Sequence, residues 1–94
     1  KYLIEVSLQF AAGGSQLLYC YAYIYKNGSS TKISQNDFQS NPANTHNATA
    51  SYIIDMNGSS DYIEIYARVN DTSGDPKIDY DSDGTYFGAY RILT

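Results

Sequence analysis

Strict alternation of apolar and polar residues opens the chain. Tyr2, Ile4, Val6, Leu8 and Phe10 fall on one face, and Leu3, Glu5, Ser7 and Gln9 on the other. A period of two sustained across residues 1–10 predicts a half-buried β-strand. Ala11-Ala12-Gly13-Gly14-Ser15 then reads as a turn. Residues 17–25 predict a second strand with an uncommon partition. Leu18, Cys20, Ala22 and Ile24 suit a packed core, whereas Tyr19, Tyr21, Tyr23 and Tyr25 form a ladder on the opposite face. Lys26-Asn27-Gly28-Ser29 predicts a tight turn, because Asn and Gly both tolerate positive φ.

From Ser30 to Ala48 the chain is polar and aperiodic, with Pro42 in its middle. This stretch predicts a long surface excursion with a short edge strand near Lys32-Ile33-Ser34. Ala50 to Met56 predicts a third strand, with Tyr52, Ile54 and Met56 on one face and Ile53 and Asp55 on the other. After the turn Asn57-Gly58-Ser59-Ser60, residues 61–69 predict a fourth. There Ile63, Ile65, Ala67 and Val69 point inward and Tyr62, Glu64, Tyr66 and Arg68 outward. A short strand at 77–80, an acidic turn and a final strand from Thr85 to Leu93 complete the pattern. No segment carries a 3.6-residue period. Strands and turns at these spacings predict an all-β, antiparallel β-sandwich.

Length and composition sharpen that picture. A chain of 94 residues makes one small domain, and such a domain buries only roughly 60–65% of its unfolded surface. Eleven tyrosines stand against three phenylalanines and no tryptophan. Tyrosine, with an apolar body and a hydroxyl, suits strand faces and wet interfaces. The net charge of −4, with six scattered basic residues, argues against nucleic acid as a partner. Cys20 is the single cysteine, so the 94 residues contain no intrachain disulfide and no thiolate cage for a metal. No apolar run approaches the roughly 20 residues that cross a bilayer. The chain starts at Lys1 and its one methionine is Met56; it is expected to be the C-terminal part of a longer protein.

Candidate chemistry is sparse. Asp79, Asp81, Asp83 and Gly84 follow the D-x-D-x-D-G opening of a calcium loop, where alternating carboxylates converge on a hard cation. Tyr90 stands where an EF-hand needs its closing Glu, so the calcium reading is of a loop between strands. The competing reading is a solvated acidic hairpin that discourages edge pairing. His46 lies in a polar loop without a matching nucleophile, and Cys20 reads as a small core residue. Glu5 and Glu64 lack the flanking residues of a paired-carboxylate site. Four sequons, at Asn27, Asn47, Asn57 and Asn70, are explained equally well by turn chemistry. Catalysis is therefore not expected. The tyrosine ladder, with Tyr62 and Tyr66 outward on a neighbouring strand, reads either as a covered sheet face or as a subunit interface or ligand platform.

These pieces, in order, resemble the complement 1q/tumour necrosis factor jelly-roll superfamily, and above all the C-terminal heads of bacteriophage and other viral fibre or decoration proteins. Lys1 to Phe10 is similar to the family's third core strand, and Tyr23 to Gly28 to its L-Y-K-N-G strand and turn. Ala50 to Tyr66 resembles its strand–turn–strand with the G-D-x-V/I motif, Ser60 replacing the Gly. Thr85 to Leu93 resembles its final strand, with Gly88-Ala89 in place of Ser-Gly. The family's first strands have no counterpart after Lys1, so either a preceding segment or another chain supplies them. The resemblance implies a non-enzymatic homotrimer with Tyr62, Tyr66 and Phe87 at or near the subunit contact. It also implies a place on a virion surface, in a tail fibre or capsid decoration, with other virion proteins or a host receptor or glycan as partners. The alternatives are a secreted adhesion or signalling ligand of the same fold and a carbohydrate-binding module.

Overall fold

The computed structural model describes residues 1–12, 16–38, 40–72, 76–78 and 84–92. Seven strands occur among them: β1 (Tyr2–Ala11), β2 (Leu17–Lys26), β3 (Ser29–Asp37), β4 (Thr45–Ile54), β5 (Ile63–Asp71), β6 (Lys77–Ile78) and β7 (Tyr86–Arg91). They form two antiparallel sheets. In the first, β1 runs between β4 on one side and β6 and β7 on the other; in the second, the order is β3-β2-β5. This is an all-β, two-layered arrangement compatible with a β-sandwich.

β1 is the keystone of its sheet. It pairs with β4 from Tyr2 opposite Ile54 to Ala11 opposite Thr45, and with β7 from Tyr2 opposite Arg91 to Ser7 opposite Tyr86. Its inward Ile4, Val6 and Phe10 are almost wholly buried. They meet Cys20, Ala22 and Ile24 of β2, together with Ala48, Ala50 and Ile54 of β4. Ala22, Ala48 and Ala50 are small residues buried between the layers, which lets the two backbones come near there. On the outer face Ser7 is also buried, and its hydroxyl is satisfied there by donating to the Gly84 carbonyl at 2.6 Å.

The hairpin between β2 and β3 turns on Asn27 and Gly28, at φ of 53° and 83°. A two-residue turn of that hand matches the twist of the strands it joins. Asn27 also reaches across the sheet. Its side-chain oxygen accepts from the Tyr62 N–H at 2.9 Å and its amide donates to Asp61 at 2.8 Å.

Three expectations need correction. The polar stretch after Ser30 holds a full strand, β3, where a short one near Lys32-Ile33-Ser34 was expected. Its residues are nearly all exposed, so the backbone ladder from β2 sustains it, and no apolar period marks it. β4 starts at Thr45, five residues before the expected Ala50; its inner face there is built by Ala48, and Tyr52 and Ile53 are exposed. At the start of β2 a bulge between Leu17 and Tyr19 turns Leu17 into the core in place of Leu18.

Candidate functional site

Two neighbouring surfaces gather aromatic side chains, one half-buried and one exposed. The first is the outer face of the β3-β2-β5 sheet. Alternation along β2 sets Tyr19, Tyr21, Tyr23 and Tyr25 on that face, with successive ring centroids 5.0, 6.3 and 6.0 Å apart. β5 extends the row sideways. Tyr66, directly opposite Tyr23 in the ladder, packs its ring 4.4 Å from that of Tyr25. Arg68 lies 5.7 Å from the centre of the Tyr19 ring, within cation–π range.

Charges border the phenols. The Tyr66 hydroxyl donates to Glu64 at 3.4 Å, and the Tyr21 hydroxyl to Asp37 at 3.3 Å. The negative charge of Glu64 is the main reason that the Tyr66 hydroxyl titrates above the usual tyrosine range. For Tyr21, partial desolvation acts first and Asp37 adds to it in the same direction. Both rings stay neutral and able to donate across the physiological range.

The second surface is a trough where the two layers part. On the β3–β4 side the core is closed. On the other side β5 and β7 stand apart, with the inward side chains of β1 as the floor. One cavity of about 400 Å³ lies among Ile4, Met56, Tyr62, Ile63, Phe87 and Ala89. A second of about 400 Å³ lies among Val6, Leu8, Ile65, Ala67, Ile78 and Phe87. Phe87 lines both, so they are two halves of one apolar groove. Ala67, expected to face the core, is exposed in it, and Ile63, Ile65 and Val69 are only half-buried. Among the described residues β5 pairs only with β2, and no strand lies beyond it to continue the layer above the floor.

The three expected contact residues gather at this groove. Tyr62 is 52% exposed, Tyr66 46% and Phe87 52%, and all three line one or both cavities. Tyr62 and Tyr66 are four residues apart, and Phe87 lies about twenty residues further along the chain. The pairing of β7 with β1 and of β5 with β2 brings them to the same opening.

One end of the groove is framed by a rigid loop that sequence reasoning took only for a turn. The Asn57 side-chain oxygen accepts from the backbone N–H groups of Ser59, Ser60 and Asp61, each at 3.0 Å. Asp61 in turn accepts from the Asn57 N–H at 2.9 Å and lies 3.6 Å from Lys26. The bond from Asn27, followed by that from the Asn57 backbone, holds the Asp61 carboxyl below the usual range. The signal was in the chain: an Asn followed four residues later by an Asp, with Gly and Ser between. The amides of Asn27, Asn47 and Asn57 all donate within the fold; Asn27 and Asn57 serve turn bonding as expected, whereas Asn47 lies within β4 and ties it to the Gly84 carbonyl.

The remaining candidates do not converge. Asp79, Asp81 and Asp83, the calcium reading, lie outside the described residues. Among the described residues no three His, Cys, Asp or Glu side chains gather as a metal site would require. His46 packs edge-on against Phe38 at 4.6 Å, with its Nε2 buried and without a hydrogen-bond partner; burial lowers its pKa. Cys20 sits in the core, and burial pushes its thiol up to about 11. Glu5 and Glu64 lie on the outer faces of different sheets, too separated to flank one bond. No helix among the described residues is long and apolar enough to cross a membrane. Compared with protein-family models, with curated proteins and with solved structures, the chain matches none.

Proposed function

We propose that this chain is a non-enzymatic, self-associating attachment and assembly module: the jelly-roll head of a virion surface protein such as a tail fibre or capsid decoration. One observation carries the reading. Among the described residues no strand bridges β5 and β7, two apolar cavities lie between them, and the rim of that space is aromatic. A small domain with an exposed inner face gains more from covering it with protein than from any ordering of its own loops.

Two further features support the reading. Leaving β6 aside, β1 and β4 and β7 belong to one sheet, and β2, β3 and β5 to the other. That order of visits is the one left when the first two strands of an eight-stranded jelly roll are taken away. The motifs from Tyr23 to Gly28, around Asp61 and from Thr85 onward carry the likeness to viral fibre heads. That likeness implies three copies around an axis, with Tyr62, Tyr66 and Phe87 in the contact.

The test is molar mass. Light scattering over a range of concentrations should give a multiple of the 10.5 kDa chain, and Tyr66→Ala should shift it toward the monomer. A monomer at every concentration overturns the proposal. A glycan-binding reading draws on the phenol row of β2, since sugars stack on aromatic faces. Glycan-array binding that persists in the monomeric variant, and is lost in Tyr23→Ala, would favour it.

A further inference from the structure

Resting on the self-association in that reading, and putting a two-fold contact in place of its three-fold one, a second observation says what covers the opening. The exposed edge of the β3-β2-β5 sheet is β5, which among the described residues pairs only with β2. From Ile63 to Val69 its order is apolar, acid, apolar, Tyr, apolar, base, apolar. That order is self-complementary. Two copies of the strand running antiparallel about Tyr66 place Glu64 of each opposite Arg68 of the other. On the other face the same register sets Ile63 against Val69 and Ile65 against Ala67.

We propose that β5 is a two-fold docking edge for a second copy of this chain, paired in the register that centres on Tyr66. Cross-strand pairs are the unit of sheet stability, and like charges opposite each other destabilise it. Centring two residues earlier or later, on Glu64 or Arg68, sets two carboxylates or two guanidiniums face to face. Centring on Ile65 or Ala67 leaves both charges opposite neutral partners. Only the Tyr66-centred register makes two ion pairs, and the two-fold axis doubles each contact. The half-buried Ile63, Ile65 and Val69 and the exposed Ala67 would then continue over the groove as one apolar layer. On the outer face the phenol rows of both copies would meet at Tyr66.

The other edges carry no such code. β3 puts Lys32 and Asp37 on opposite faces, so antiparallel self-pairing never brings them together. β4 has no charged residue between Thr45 and Ile54, and β7 has only Arg91. Among the described residues the half-buried Glu64 accepts the long bond from Tyr66, and Arg68 is exposed above Tyr19, where the hydroxyls of Tyr19 and Tyr23 favour its charged form.

Charge reversal tests the register directly. Glu64→Arg and Arg68→Glu should each weaken the dimer about tenfold or more in sedimentation equilibrium, because two attractive pairs become two repulsive ones. The doubly reversed chain, carrying both changes, should associate about as well as the parent. An equimolar mixture of the two single variants should pair with each other, which also establishes that each is folded. Tyr66→Cys should cross-link two copies on mild oxidation, Cys20 being buried. The inference is overturned if both single variants keep the parent's mass, or if their mixture fails to associate. A trimer indifferent to both reversals would discard the two-fold contact and leave the self-association reading standing. A monomer at every concentration would discard both.

Discussion

Cys20 illustrates how a side chain with reactive potential is made inert by its place. It lies between Phe10, Leu17, Ala22 and Ala48 with no accessible surface, and a thiolate there would lose its hydration without gaining a partner. Its thiol therefore titrates near 11 in the fold, against an ordinary 9.0. The folded value is raised, so the contribution to stability is fully present below pH 9.0 and is lost as the pH rises through about 11. Denaturant melts should show stability falling across that window, with Tyr21 and Tyr66, both shifted up, extending the fall at higher pH. Cys20→Ala should flatten its first part. At neutral pH a thiol reagent should label the native chain only as fast as it opens, and rapid native labelling would contradict the burial.

Among the elements, β3 and β5 are the most instructive because their ordering comes from their neighbours. β3 exists because the Asn27-Gly28 turn hands the chain back along β2. β5 is entered through the Asn57–Asp61 loop, whose geometry depends on one amide oxygen accepting three backbone N–H groups. Asn57→Ala removes those bonds and leaves the donors to water. We expect a loss of about 1 kcal/mol, or roughly 4–8 °C in melting temperature for a chain of this size. Asn57→Asp, which keeps the acceptor, should lose much less. Equal losses in both variants would mean that the loop does not rely on that acceptor.

For the whole molecule the decisive property is asymmetry. One flank of the sandwich is closed by alanines and Ile54; on the other, among the described residues, β5 and β7 are parted by two apolar cavities with Tyr62, Tyr66 and Phe87 exposed at the rim. An apolar dye should therefore bind the dilute protein, and its fluorescence per chain should fall as concentration rises and copies cover the groove. Phe87→Asp should abolish the concentration dependence by placing a charge in the shared wall. Constant fluorescence per chain in the parent would argue that association leaves the groove uncovered.

Period-two patterning in β1, β2 and β5 was enough to establish the class, the facing of most strands and the position of the tyrosine row, because alternation is a local consequence of the pleat. The Asn27-Gly28 turn was legible for the same reason, since positive φ is a property of those two residues. The extent of β3, the early start of β4 and the inward turn of Leu17 were not legible. Each follows from hydrogen bonds to a strand distant in sequence, and polar side chains on an edge leave no apolar period to read. Nor did local order reveal that Ala67, written like a core residue, stands exposed. Burial depends on what lies across the layer, and that was decided only when β5 and β7 were placed at the ends of two different sheets with nothing described between them.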